Sequence, residues 1–481
     1  MNNPIQPLAL HPDRLFSSDV KVVEIARALY QEIKDLPIIS PHGHTDPSWF
    51  NENKNFGNAT DLFLKPDHYV FRMLYSQGIQ LTDLGIPQHG EQGDLASSKA
   101  ADPNKAWQIF ADNYHLFAGT PSGYWLDSVF SDVFGFTEKL CSENAQQYYQ
   151  DITAKLATPE FKPHALMDRF NIEFIATTEG ALDELKHHRA IKETPMAKRV
   201  STSFRPDDVV DASREDFNDN IEKLAQLTGE DTNTWQGYLA AIRARRAYFK
   251  KEGRATATDH GHPTALTADL PLAECEQLFA KCLSGQSTEA EQELFRGQML
   301  TELAGMSIED GLVMQIHPGA HRNHNKPIFD VYGRDKGCDI PSQTEYVNAL
   351  KPLLSKYGNH PKLSIILFTL DETTYSRELA PLAGHYPSLK LGPAWWFHDS
   401  PAGMLRFRQQ ATETAGFYNT VGFNDDTRAF LSIPARHDVA RRVDCRYLAE
   451  LVTNHQITLK EAHTLAYQLT YGLVKKAYKL D

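Results

Sequence analysis

No apolar run in this 481-residue chain approaches the ~20 residues needed to cross a bilayer. The opening Met-Asn-Asn-Pro-Ile-Gln-Pro has no basic-then-apolar signal pattern. Cysteine is scarce and odd in number: Cys141, Cys275, Cys282, Cys338 and Cys445, with no CxxC pair. That usage reads as reduced structural thiols in a cytoplasmic protein. Basic charge is also short, 49 Lys and Arg against 62 Asp and Glu, a net charge of −13. This argues against sequence-independent binding to nucleic acid or to an anionic membrane. The short cluster Arg243-Ala-Arg-Arg246 reads as a solvated helix face, and no repeat or low-complexity segment stands out.

With 41% hydrophobic and 23% charged residues, the composition is that of a soluble globular protein with ample core. Asp19 caps an apolar periodicity over residues 22, 25, 26, 29 and 33, which predicts a helix. The stretch Leu36-Pro-Ile-Ile-Ser-Pro-His-Gly-His-Thr-Asp46 follows, a short buried strand ending in two histidines. On extended chain, residues i and i+2 face the same side. His42 and His44 therefore either converge on a divalent metal, zinc first, or simply face water. Residues 60–165, rich in aromatics, are too long for an ordinary connection and predict a helical insertion.

From residue 171, short apolar runs alternate with helical segments: 172–177, 199–204, 255–258, 312–316, 363–370, 389–395 and 420–423. With the opening run they make eight, the number a closed parallel (β/α) barrel needs. The expected fold class is α/β, a single distorted (β/α)8 TIM-like barrel over residues 1–481. Further helical insertions are expected at 207–252 and 265–308, and a C-terminal helix at 458–478, opened by the capping box Thr458-Leu-Lys-Glu461. Each run ends in polar residues: His42-Gly-His44, Thr177-Thr-Glu-Gly180, Phe204-Arg-Pro206, Asp259-His-Gly261, His317, Asp371, Trp395-Trp-Phe-His-Asp399 and Asn424-Asp-Asp-Thr-Arg428. In a barrel all of these open onto one face, where active sites lie. An enzyme is the reading that follows.

The ordered set Asp67-His-Tyr69, Thr177-Thr178, Phe204-Arg-Pro206, Asp259-His-Gly261, Met314-Gln-Ile-His317, Arg322-Asn323, Trp395-Trp-Phe397, Asp426-Thr-Arg428 and Arg436-His437 resembles the uronate (glucuronate) isomerases of the amidohydrolase superfamily. The chain departs from that pattern at Glu179-Gly180, where the family commonly has an acidic pair, and at Ile433-Pro434-Ala435, where it commonly has Ser-Tyr. The resemblance implies interconversion of D-glucuronate with D-fructuronate and of D-galacturonate with D-tagaturonate, by proton transfer through a cis-enediol. Such chemistry needs a base at C2, stabilisation of charge on O1 and O2, and a cation for the C6 carboxylate.

Under this resemblance Asp426 is the first candidate for the base and Tyr69 its rival or partner. His68 serves ring opening, and Arg428 stabilises the enediolate or orients Asp426. Arg205, with Arg322 second, holds the carboxylate. Trp395 and Trp396 offer an apolar face, at least one of them being core by alternation. One metal, zinc by expectation and not essential for turnover, would take His42, His44 and Asp426, with His317 as fourth ligand or neighbour. A mononuclear metal-dependent hydrolase acting on a lactone or amide is the alternative, and a non-catalytic sugar-acid sensor ranks behind it. A cytoplasmic homo-oligomer acting on a small hexuronate, without nucleic-acid or membrane partners, completes the expectation.

Overall fold

The computed structural model describes residues 5–88 and 102–480, so residues 89–101 of the expected 60–165 insertion lie outside the described residues. Seven strands pair in parallel in chain order: β1 (Ile38–Ser40), β2 (Ile172–Gly180), β3 (Val200–Arg205), β4 (Ala257–His260), β5 (Val313–Ile316), β6 (Ile365–Leu367) and β7 (Leu389–Leu391). β1, β4, β5 and β6 are buried along their whole length and β3 along all but Arg205, as parallel strands covered on both faces are. The sheet curls into the half-barrel of a TIM-like fold. β2 runs past its expected end at Thr177 to Gly180, and β4 carries Asp259 and His260 inside the ladder, paired with Gln315 and Ile316.

The eighth expected strand, Thr420–Phe423, is the exception. It gives a single parallel bridge from Thr420 to Leu391, with the Val421 N–H donating to the Leu391 carbonyl at 3.1 Å. Gly422 then turns the chain at φ +78°. A Cβ there would stand 2.5 Å from Val474 Cγ2 and 2.6 Å from the Leu469 carbonyl oxygen. The run bends to admit the C-terminal helix and cannot continue as a ladder. Beyond it, the His44 N–H donates to the Thr427 carbonyl at 3.0 Å, tying the first loop to the last.

The C-terminal segment opens with both bonds of the Thr458/Glu461 capping box. It proceeds through Leu459–Tyr467, a π-helical turn at Gln468–Gly472 and Leu473–Tyr478. Val474 and Tyr478 enter the barrel interior among Ile39, Phe174, Val313, Ile366 and Val421. At the N-terminus, the Asp19 carboxylate caps the helix Val20–Ile33 by accepting from Lys21 and Val22. That helix buries Val22, Ala26, Leu29 and Ile33 in a cluster with Cys445, Leu448 and Leu465. The segment between β1 and β2 holds an aromatic core including Trp107, Phe110, Phe117, Phe130 and Phe134.

The arginine cluster on the helix Trp235–Glu252 corrects the sequence reading. Only Arg243 lies on the outer face. Arg246 is fully buried against Asp310 at 2.6 Å, and Arg245 donates to the Ala181 and Asp183 carbonyls. A buried guanidinium can neutralise a carboxylate, as at Arg246, or satisfy loop carbonyls, as at Arg245, neither of which apolar periodicity registers.

Replacing Gly422 with Ala forces an L residue into positive φ and drives Cβ into Val474. The expected loss is about 2–4 kcal/mol of unfolding free energy in urea titrations.

Candidate functional site

His42 and His44 leave β1 through Pro41 and turn their rings edge to face, centroids 5.2 Å apart. Asp426 reaches them from the far end of the chain. The Asn424 side chain accepts its N–H at 3.0 Å, and its φ is +40°. Gly43 lets the two loops close: a Cβ there would lie 3.3 Å from the Thr427 carbonyl oxygen. Asp426 Oδ1 stands 3.2 Å from His44 Nε2 and 3.5 Å from His42 Nε2. The three ligand atoms lie within 4.8 Å of one another. Asp426 Oδ1 is buried and has no hydrogen-bond donor. An orphaned carboxylate oxygen between two imidazole nitrogens fits a divalent cation that accepts mixed nitrogen and oxygen ligands.

Below the triad Asp259 is fully buried. Its Oδ1 lies 2.7 Å from His317 Nε2 and 3.9 Å from His42 Nε2, and its Oδ2 lies 3.3 Å from Arg205 Nη1. His317 thus sits beside the converging triad, against Asp259, and is not one of the three ligand atoms. Arg205 also donates through Nε to Asp207 at 2.8 Å. Burial alone would raise both central carboxyls. The His317, His42 and Arg205 charges hold Asp259 well below the usual range. The close approach of His44, with the His44, His42 and His317 charges, does the same for Asp426. His260 turns away, its Nε2 2.8 Å from Thr258 Oγ1.

The insertion after β1 supplies the facing wall. Asp67 caps the helix His68–Tyr75 by accepting the Tyr69 N–H at 2.9 Å, which sets His68 and Tyr69 at the helix start. Their rings stack at 4.7 Å. Burial, with the Arg428 and Arg72 charges, pulls His68 down to about 3. Burial and the Asp399 charge push Tyr69 well above the usual phenol range. At neutral pH the imidazole and the phenol are both uncharged. Trp395 is core, its Nε1 donating to the Thr369 carbonyl at 2.9 Å, and Trp396 at φ +51° lies under the Arg322 guanidinium. Arg322 pairs with Asp339 at 2.7 Å, and Arg428 approaches Asp335 at 3.5 Å. His42, His44, His68, Tyr69, Arg205, His317, Arg322, Trp395, Trp396, Asp426 and Arg428 all line one cavity of about 720 Å³.

Residues 16–478 match the family model described as glucuronate isomerase. The chain belongs to that family. A curated relative, the uronate isomerase of Phenylobacterium zucineum, is 60% identical over 476 residues, covering 99% of this chain and 98% of its own. The crystal structure of glucuronate isomerase from Caulobacter crescentus superposes with a TM-score of 0.96 at 61% identity, covering 99% of this chain and 98% of that one. The uronate isomerase structure from Thermotoga maritima gives 0.89 at 28% identity, covering 98% and 99%.

Within this glucuronate isomerase fold the structure adds residues that sequence reasoning left without a role. Arg436 lines the cavity, pairs with Asp399 at 2.9 Å, and lies 3.5 Å from the centroid of the Trp125 ring. Burial pushes Asp399 up to about 7, the Arg436 charge opposing it. Both residues stood in quoted motifs, Arg436 in the Arg-His pair and Asp399 in the polar tail after the seventh run, but nothing in the sequence pairs them. Glu179, at the departure from the family pattern, lies outside the cavity. It accepts from the hydroxyls of Thr177 and Thr202, and burial pushes it up to about 8 against those hydrogen bonds.

A carboxyl raised from 4.5 to about 8 contributes stability that is complete below its unfolded pKa and lost as pH rises through the folded one. Denaturant titrations of the wild type should therefore lose up to about 1.4 kcal/mol per pH unit between those limits through this group. Glu179→Gln should remove that component; an unchanged pH slope in the variant refutes the assignment.

Proposed function

We propose that the chain interconverts aldo- and keto-hexuronates, D-glucuronate with D-fructuronate and D-galacturonate with D-tagaturonate, by proton transfer between C2 and C1 through a cis-enediol. The observation that carries this reading is the convergence of two sets of residues on one cavity: Asp426 with Arg428 from the barrel, and His68 with Tyr69 from the insertion. Asp426 is held ionised by its histidines. Both of their contacts fall on Oδ1, so Oδ2 remains to take the C2 proton. The ionised form is the one that can accept a proton from a carbon made acidic by the adjacent polarised carbonyl.

Tyr69, a neutral phenol at neutral pH, donates a hydrogen bond to the developing oxyanion, so it serves as donor and Asp426 as base. Neutral His68 relays the hydroxyl proton during ring opening. Arg428, with only the 3.5 Å contact to Asp335, is the least committed of these arginines and faces the enediolate charge. Arg205 grips the C6 carboxylate, its fork fixed by Asp207 and Asp259. Arg322 is the second candidate for that role. Trp396 supplies the flat face for the sugar.

A divalent cation, zinc on the chemistry of two imidazoles and a carboxylate, would be held by His42, His44 and Asp426 and would neutralise charge on the substrate oxygens. A proton shift between adjacent carbons needs no metal-generated hydroxide, so turnover survives metal loss in this reading. A mononuclear hydrolase would lose activity on chelation. The five free thiols support a cytoplasmic setting, and among the described residues no helix is long and apolar enough to cross a membrane.

Incubating D-glucuronate or D-galacturonate with the protein in deuterated water should give the ketose with solvent deuterium at C1, before and after chelation. A ketose that keeps all of a C2 label and takes none from solvent indicates hydride shift and overturns the enediol; absence of any ketose overturns the function.

Asp426→Asn should lower kcat by about 10²–10⁴-fold in the same assay, and His42→Asn should weaken metal retention on dialysis while leaving measurable turnover. A His42→Asn protein that retains metal like the wild type refutes the ligand assignment.

A further inference from the structure

The chain that leaves β5 folds back through a short antiparallel ladder, Ala320 with Pro341 and His321 with Ile340. Asp339 closes the base of this excursion by accepting the Asn323 N–H at 2.8 Å and Arg322 Nη1 at 2.7 Å. The helix Lys326–Tyr332 ends at Gly333, and the turn after it brings Arg334, Asp335 and Gly337 to the cavity lining. Gly337, at φ +72°, packs its backbone on the insertion. A Cβ there would lie 2.8 Å from Arg72 Cβ and 3.1 Å from the His68 carbonyl oxygen. Two residues earlier Asp335 stands at φ +61° and reaches Arg428, Oδ2 to Nη2 at 3.5 Å. A residue with a side chain keeps such a conformation only where its surroundings impose it. One turn thus rests on the helix that carries His68 and Tyr69 and extends a carboxylate to the arginine after the eighth run.

Among the described residues this is the one ion pair that Arg428 makes, and the Asp335 side chain is 53% exposed. An exposed pair adds little to stability, so the fold does not need the contact, and Arg428 can leave it cheaply as charge builds on the substrate oxygens. What the contact supplies is position. A guanidinium loose in solvent must give up rotamer freedom to meet an oxyanion, whereas a donor already held over the cavity need not reorganise. We propose that Asp335 is a positioning residue: its carboxylate holds the Arg428 guanidinium over the cavity, and the Gly337 contact sets the spacing of that guanidinium from His68 and Tyr69. The proposal rests on the isomerase reading, in which Arg428 stabilises the enediolate. Asp335 acts through Arg428 and takes no proton itself.

The test is steady-state isomerisation of D-glucuronate and D-galacturonate by the full-length protein, with Asp335→Ala set against Asp330→Ala. Asp330 pairs with Lys326 at 2.7 Å on the helix leading into the turn, so its loss removes an exposed carboxylate of the same segment. Asp335→Ala is expected to lower kcat by about 10-fold, part of the roughly 10²–10³-fold that removing an oxyanion donor costs. Its KM should not rise, because a carboxylate at the cavity repels an anionic substrate. Asp330→Ala should leave both constants unchanged. In an Arg428→Met background, Asp335→Ala should cost less than about 2-fold, since residues that act as one unit do not add. A wild-type kcat in Asp335→Ala, or a loss confined to KM, overturns the proposal while leaving the isomerase reading intact. So does the full loss appearing again in the Arg428→Met background. A wild type that forms no ketose overturns both.

Discussion

Two carboxylates, Asp426 on the cavity lining and Asp259 buried behind it, stand almost out of reach of water, and the rest of the site is arranged to keep them charged. A lone buried carboxylate costs several kcal/mol and would protonate. Here His42 stands between the two, His44 and His317 flank them, and Arg205 closes the far side. These groups come from β1, β3, β4, β5 and the loop after the eighth run, so the charge balance exists only when the barrel is assembled. Loss of one partner would leave an uncompensated ion in the interior, the costly way to break a buried pair. Folding and site assembly are in this sense the same event.

The walls around these carboxylates come from elsewhere, and their backbone shows the demand placed on them. Asn323, Asp335, Trp396 and Asp426 all line the cavity and all adopt positive φ, between 40° and 61°. Such conformations cost on the order of 1–3 kcal/mol each in residues with side chains and persist where the surroundings over-determine them. At Asp426 the determining contact is the Asn424 side chain. At Trp396 the ring packs between Trp395 and Phe397, with Arg322 over it. The insertion after β1 keeps its own aromatic core and, among the described residues, delivers the start of one capped helix to the cavity, so His68 and Tyr69 are placed by packing remote from the chemistry.

How much of this was legible in the sequence follows from the range of the interactions. Local ones were plain: the Asp19 cap, the Thr458/Glu461 box, the apolar runs of the parallel strands, and the two histidines ending β1. The family motifs gathered every proposed site residue to one cavity, including Asp426 from nearly 400 residues after His42. What stayed hidden depended on contacts across the fold. The eighth strand is apolar enough to read as a strand, but the ladder stops because Val474 occupies the space beside Gly422. Arg245 and Arg246 look like surface charge until Asp310 and the Ala181 and Asp183 carbonyls are set against them. Periodicity also could not extend β4 to hold Asp259 and His260, since the register with Gln315 and Ile316 decides it.

The protonation states that this architecture imposes bear on which reaction the cavity suits. Activating water for hydrolysis asks for a nucleophile beside the cation and an acid for the leaving group. Shifting a carbonyl between adjacent carbons asks for an anionic base on one side of the substrate and uncharged hydrogen-bond donors near two neighbouring oxygens. Burial leaves Tyr69 a phenol and His68 an imidazole, while the histidines keep Asp426 a carboxylate with one oxygen engaged and the other spare. An ionised acceptor therefore faces neutral donors, with Arg428 only loosely committed to Asp335 and able to follow charge as it builds on the oxygens. This division arises from burial and from the charged groups of the protein itself.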